Sequence, residues 1–196
     1  MTTVAPPTPY SQAQRDAFGD WRQRNNCSTR DWVLRDDALT AAQGATQALT
    51  PKFGCPVTAG SWEWPYEAVQ SVHAYTTQAA IAGTGGMQID HIVPIGDAYN
   101  SGAWNWSPTQ KSDFYNDVSL PQLMSVSQAS NGSKGDRSPD EWMPQGYPAN
   151  AFPTAAAGHD FACVYDQMWV AVKYEWRLTI TAPEQAELSG LLITCA

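Results

Sequence analysis

Asp90 and His91 sit side by side in Met87-Gln-Ile-Asp-His-Ile-Val-Pro-Ile95, a short alternating apolar run with two polar residues in its middle and Pro94 close behind. Neither side chain suits the centre of an apolar strand. A carboxylate buried there needs a cation, hydrogen-bond donors or solvent, because leaving it unpaired is costly. A histidine of ordinary pKa, near ~6.5, can take a proton from water at neutral pH. Successive strand residues point to opposite faces, so the pair converges on one substrate only where the strand ends or turns. Alone, the pair also fits a surface aspartate beside a hydrogen-bonded core histidine. The downstream segment from Asn116 to Asp136 changes that balance.

The elements that must position these residues follow from local signals. Residues 11–24 read as a helix capped by Ser11, and residues 28–39 as a second, with Trp32, Val33 and Leu39 as its packing stripe. Pro51, Gly54, Pro56, Gly60 and Pro65 punctuate residues 44–88, which favours short strands and loops, with a strand within 57–64. Residues 83–86 form a turn and not a phosphate loop, since no Lys-Ser/Thr follows. Residues 97–104 are expected to be helical. Ser107 with Pro108 marks a further helix start, residues 120–126 a second short strand, and residues 127–131 a helix leading into Lys134. A Pro- and Gly-rich loop covers residues 138–158. Phe161, Val164, Tyr165, Met168, Trp169, Val172 and Trp176 recur at helical spacing, and Thr181 caps a last helix to about residue 192. Residues 1–10 read as a flexible lead-in and residues 11–196 as one α+β domain without repeat or linker.

Composition bounds the function. A formal net charge of −8 argues against holding nucleic acid by a broad basic surface, yet leaves room for catalysis at a local positive patch with a metal ion. Nine Trp and eight Tyr are read as packing residues of an extracellular scaffold. Cys27, Cys55, Cys163 and Cys195 form no CxxC pair, which removes a zinc knuckle, and no Pro-Cys-x-x-Cys supports a zinc deaminase. Their even count suggests two disulfides in an oxidising compartment; Cys27–Cys55 with Cys163–Cys195 is the natural pairing of three open connectivities. No run reaches the ~20 apolar residues of a membrane span. MTTVAPPTPY lacks a basic region and an apolar run, so the secretion reading takes the leader as already removed, with Met1 as an added start.

Asp90-His91-Ile-Val-Pro94, Ser101-Gly-Ala-x-x-Trp106, Asn116-Asp117, Pro121-Gln-Leu123, Asn131-x-x-Lys-Gly-Asp136 and Trp142-x-Pro144 follow one another in a fixed order. That order resembles the HNH nucleases of the GmrSD C-terminal type, small secreted proteins of bacteria and fungi among them. Cys27-x-Thr-Arg-Asp-x-Val-Leu34, Gly60-x-Trp62, Cys163-x-Tyr-x-x-x-Trp-x-x-x-Lys173 and Cys195 extend the resemblance from about residue 27 to the end. It implies a ββα-metal core over about residues 87–137, two short strands and a helix, within a mainly helical, disulfide-stapled domain. It implies that Asp90 and Asn131 hold one divalent metal and that His91 is the general base. A hard Mg²⁺, or else Mn²⁺, wants the oxygen ligands these residues supply. Lys134 and Arg137 are expected to contact phosphate, Lys134 otherwise being a solvated loop lysine. Asp136 is expected as a turn or cap residue, His73 and His159 as surface residues, and Trp104 and Trp106 as packing residues. Leu120 departs from the pattern, which carries Asn before the Pro-x-Leu strand; Asn116 or Ser119 then has to brace the histidine hairpin. Residues 63–86 also lack the pattern's Ser-Pro-Tyr stretch. The implied substrate is DNA, RNA or both, cut with little sequence specificity by a monomer, since no recognition helix stands out. The competing reading is an extracellular binding protein that kept the fold and lost the activity.

Overall fold

The computed structural model describes residues 5–40, 43, 45, 55–67, 72–144 and 161–195, which form a mixed α+β structure with three small two-stranded sheets. The expected loop at 138–158 falls mostly outside these residues, as does His159.

Helix α1 is Gln12–Asp16, with Ser11 at its N-cap. It is far shorter than the helix expected over 11–24. The chain turns at Gly19, whose φ of +87° is a conformation that side chains disfavour, and this lets Phe18 enter the core fully buried. The residues beyond form a tight hairpin of β1 (Gln23–Arg24) and β2 (Cys27–Ser28). Its two turn residues, Asn25 and Asn26, both have positive φ, which asparagine tolerates best among residues with a side chain. Ser28 then caps α2 (Thr29–Asp36), accepting from the Asp31 N–H. Val33 and Leu34 are the buried apolar residues of this helix; Trp32, expected in the stripe, is 40% exposed.

Strands β3 (Gly60–Glu63) and β4 (Val72–Tyr75) pair antiparallel. A short helix, α3 (Gln78–Ala82), follows where only strands and loops are expected. Thr77 caps it, and its alanines are the strongest helix formers, so local propensity wins there. The central hairpin is β5 (Met87–His91) against β6 (Leu123–Ser127), in a register that pairs Asp90 with Met124 and His91 with Leu123. Between these strands lie α4 (Ile95–Asn100), a 3-10 turn at Ala103–Asn105, and α5 (Pro108–Tyr115). Ser107 and Gln110 form a complete capping box on α5, with Pro108 in its first turn. Ser127 closes β6 and caps α6 (Gln128–Lys134), so strand passes directly into helix.

The C-terminal pair α7 (Phe161–Glu175) and α8 (Ala182–Thr194) packs as a hairpin. The disulfides are Cys27–Cys55 and Cys163–Cys195, the second joining these two helices. Tyr165, Trp169 and Val172 of α7 are fully buried in the main core with Ile92, Val93, Ala98, Phe114 and Val126. A second cluster gathers Val33, Leu34, Val57, Trp62, Ile81, Met87 and Ile89 on the other side. The Lys173 ammonium is buried beside Asp97 of α4, donates to the Ser101 hydroxyl at 2.8 Å and lies 3.2 Å from Glu184 of α8. Glu184 also accepts from the Trp169 indole at 2.6 Å. This satisfied polar cluster fixes α4, which starts four residues after His91, to the helical hairpin. The expected lead-in at 1–10 is held at its end: Thr8 bonds the Tyr99 hydroxyl at 2.9 Å, and the Tyr10 ring packs on the Tyr99 ring.

Candidate active site

Strand β5 ends at His91, and the bend after it is held by a side chain. Gln122 is completely buried and mimics a strand neighbour: it accepts from the Val93 N–H at 3.1 Å and donates to the Val93 carbonyl at 2.9 Å. Here the strand turns, and Asp90 and His91 reach one hollow. Pro121-Gln-Leu123 thus carries a positioning role that sequence reading treats only as part of a motif.

Asp90 is buried, and both of its carboxylate oxygens have protein partners. Tyr66 donates its hydroxyl to Oδ2 at 2.5 Å, and the Lys134 ammonium lies 2.9 Å from both Oδ1 and Oδ2. The same ammonium donates to the His91 carbonyl at 2.8 Å. The ammonium therefore makes two hydrogen bonds and an ion pair, all within the protein interior. Burial pushes the Asp90 carboxyl above its usual range, while Lys134 and Tyr66 pull it back down. The expectation that Lys134 touches phosphate, or sits solvated in a loop, is overturned. Its side chain is completely buried, and its ammonium is paired with the Asp90 carboxylate.

The His91 ring is stacked against Trp21 at a centroid distance of 5.5 Å and an interplanar angle of 5°, with the Tyr115 ring 4.6 Å away. Its Nε2 lies 3.0 Å from the Tyr115 carbonyl oxygen. A carbonyl can only accept, so Nε2 carries the proton and Nδ1 keeps its lone pair. Burial lowers the pKa of His91 to about 3, which keeps the ring neutral at physiological pH.

Asn116, directly after Tyr115, does not reach the reacting groups. Its Oδ1 accepts from the Arg22 N–H at 2.8 Å, and its Nδ2 donates to the Asp20 and Ser112 carbonyls at 3.1 and 3.0 Å. It ties the segment carrying Trp21 to the peptide that holds His91. Ser119, the other residue expected to brace the hairpin, bonds Asp117 instead.

Asn131 of α6 donates through Nδ2 to Gln88 of β5 at 2.7 Å, and among the described residues its side-chain Oδ1 takes no hydrogen bond. Asp136 accepts from the Gly96 N–H at 3.0 Å, capping the start of α4 as expected of it. A Cβ on residue 96 would lie 2.5 Å from the Asp136 Cγ, so glycine is what lets the two approach. Arg137 is exposed and donates to the Ser133 carbonyl at 2.5 Å. His73 stacks on Trp64, away from this site.

Asp90, His91 and Asn131 line one open hollow of about 220 Å³ together with Asp136, Gly135 and Arg15. Lys134, Asn116 and Arg137 are not on its wall. Tyr66, Trp21 and Arg15 are missed by sequence reading, because nothing local marks an aromatic or basic residue for a pocket built far along the chain. A larger hollow of about 500 Å³ lies beside Asp37, Glu63 and Met168, but no histidine lines it. The wall of the smaller hollow offers a carboxylate and an uncommitted amide carbonyl, a hard oxygen donor set suited to Mg²⁺ or Mn²⁺. No group of three His, Cys, Asp or Glu is gathered for a metal among the described residues, so a cation held here would keep water or substrate oxygens as further ligands.

Three comparisons bear on this geometry. Residues 39–191 match the family described as GmrSD restriction endonucleases, C-terminal domain. An uncharacterized secreted protein of Arthroderma benhamiae is 32% identical over 194 residues, covering 98% of this chain and 80% of that protein. No solved structure matches. With the Asp-His pair, the strand–strand–helix order and most of its length accounted for, the chain belongs to the family of GmrSD restriction endonuclease C-terminal domains, a nuclease family of the HNH type.

Proposed function

We propose that this chain is a secreted endonuclease that hydrolyses phosphodiester bonds of DNA, RNA or both with little sequence specificity, using one divalent metal ion. Residues 11–196 act as a single nuclease domain and work as a monomer. The observation that carries this reading is the fixed tautomer of His91: Nε2–H is committed to the Tyr115 carbonyl, which leaves Nδ1 as the base beside Asp90 and Asn131. Secretion is supported by the two disulfides and by the description of the fungal relative.

Asp90 and Asn131 would hold Mg²⁺ or Mn²⁺, which when bound stabilises charge on the phosphate and on the leaving oxygen. His91 Nδ1 takes a proton from water as the water oxygen attacks phosphorus. The ester P–O bond breaks, and the leaving oxygen departs with the electron pair and is protonated from solvent. Trp21 and Tyr115 hold the imidazole plane during the transfer. Tyr66 and Lys134 fix the rotamer of Asp90 and keep it charged. Asn116 positions the Tyr115 carbonyl, and Arg137 is exposed where a flanking phosphate can meet it.

Plasmid DNA and single-stranded RNA incubated with Mg²⁺, with EDTA, and with His91→Ala test this. Cutting that EDTA stops and His91→Ala abolishes is the expected result. No cutting by disulfide-bonded protein with Mg²⁺, Mn²⁺, Ca²⁺ or Zn²⁺ would overturn it in favour of an extracellular binding protein.

A further inference from the structure

The hollow beside His91 has the Asp90 and Asp136 carboxylates on its wall, so besides a bound metal ion an anionic substrate calls for a cationic side chain there. Lys134 cannot serve, because it is completely buried and paired with Asp90 and the His91 carbonyl, off the wall of the hollow. Arg137 is turned back to Ser133 and does not line the hollow. Arg15 does line it. The Arg15 guanidinium lies 4.8 Å over the Tyr115 ring and donates from Nη2 to the Tyr115 hydroxyl at 3.0 Å. That bond uses one of five N–H donors. Among the described residues no carboxylate lies within ion-pair distance of it, although Asp136 shares the wall. A half-buried guanidinium bearing no counter-ion, oriented by an aromatic ring and a phenol, presents a planar fork that matches two phosphate oxygens.

We propose that Arg15 is the phosphate-binding residue of this site, gripping non-bridging oxygens of the nucleic-acid backbone next to His91. This rests on the nuclease reading. It makes the N-terminal segment part of the active site, although the match to the family begins at residue 39. Tyr115 then serves twice: its carbonyl sets the tautomer of His91, and its hydroxyl sets the guanidinium.

The test uses the full disulfide-bonded chain with Arg15→Gln, Arg15→Lys and Tyr115→Phe. Cleavage is followed with Mg²⁺, and binding of a single-stranded DNA oligonucleotide is followed in EDTA across a salt series. Arg15→Gln should lower kcat/KM and affinity at least ~10-fold and flatten the slope of log K against log salt by about 0.7, the loss of one phosphate contact to a single strand. Arg15→Lys should keep the slope and recover part of the affinity, since it restores a point charge without the fork. If Arg15→Gln fails to fold, Tyr115→Phe carries the test, with KM expected to rise several-fold and an unchanged KM overturning the proposal. A wild type that cuts, with Arg15→Gln within twofold of it and of equal salt slope, overturns the proposal and leaves the nuclease reading standing. Equal losses in both Arg15 variants without a change of slope mark a structural role and also overturn it. A wild type that binds through Arg15 but never cuts supports Arg15 and sinks the nuclease reading. A wild type that neither cuts nor binds overturns both.

Discussion

Lys134→Met should be among the most damaging single substitutions in this protein, and the reason lies in one carboxylate. Lys134 is completely buried, and the Asp90 side chain is only 5% exposed. Methionine preserves most of the apolar stem but removes the ammonium, leaving the Asp90 carboxylate buried without its cation and with Tyr66 as its side-chain donor. Removing one partner of a buried ion pair costs about 3–5 kcal/mol. For a domain of this size each kcal/mol lowers Tm by roughly 2–4 °C, so Tm should fall by about 6–20 °C. Urea unfolding at neutral pH with the disulfides intact measures the loss directly. Adding Asp90→Asn should recover about 2–3 kcal/mol relative to the sum of the single changes, because a neutral amide oxygen still accepts from Tyr66 without needing a cation. A Lys134→Met protein within about 1 kcal/mol of wild type, or a strictly additive double variant, would show that the pair is not desolvated and that Lys134 does not hold Asp90.

Other consequences are testable alongside. Asn116→Ala removes three part-buried hydrogen bonds of a buried side chain and should cost about 2–4 kcal/mol in urea unfolding; by freeing the Tyr115 peptide it should lower kcat at least ~10-fold with KM little changed, and an intact kcat would refute its positioning role. Gly96→Ala should displace Asp136, whose exposed carboxylate can swing away, so stability should change by under ~1 kcal/mol while cleavage weakens; equal activity would show that this contact does not shape the hollow. Burial raises Asp37 to about 6, above its ordinary 3.8. A carboxyl raised on folding contributes stability that is full below pH ~4 and lost as pH rises through about 6. Asp37→Asn should therefore stabilise the protein by up to ~3 kcal/mol at pH 7.5 and by little at pH 4, and a gap that stays constant between those values would refute the assignment.

How legible all this was in the sequence depended on whether the signal was local. Ser107-Pro108, Ser28, Ser127 and Thr181 announce helix starts because capping is chemistry within four residues, and each caps in the structure. The Asp90-His91 pair is legible because two polar residues in an apolar strand demand partners. The partners were not legible. Tyr66 and Trp21 reach the pair through tertiary packing, and no spacing rule links them to it. The helix expected over 11–24 stops at Asp16 because Gly19 sets a turn within the stretch and Asn25 and Asn26, just beyond it, draw Gln23 and Arg24 into a hairpin. Lys134 was misplaced for a related reason: a lysine beside Gly135 reads as a loop residue, and only the buried demand of Asp90 draws it inward. The gap at Leu120 is met by two residues, Gln122 holding the bend and Asn116 tying down the peptide that fixes the imidazole.

The site separates charge balance from orientation. Asp90, His91, Asn131 and Lys134 come from β5 and α6, so the segment that carries the proposed catalytic groups also supplies the cation for its own buried carboxylate. That is the condition for placing Asp90 beneath a solvent-facing hollow at all, because an unpaired carboxylate would shift its pKa and protonate instead. Orientation comes from elsewhere. Trp21 stacks on the imidazole, Arg15 binds the tyrosine whose carbonyl fixes its tautomer, and both precede the region that defines the family. Asn116 joins the two parts through the Arg22 and Asp20 peptides. A chain of net charge −8 therefore needs no basic surface to act on nucleic acid. On the proposed function its requirement is local: one neutral imidazole and one guanidinium held by Tyr115, beside a carboxylate paired with Lys134 and Tyr66.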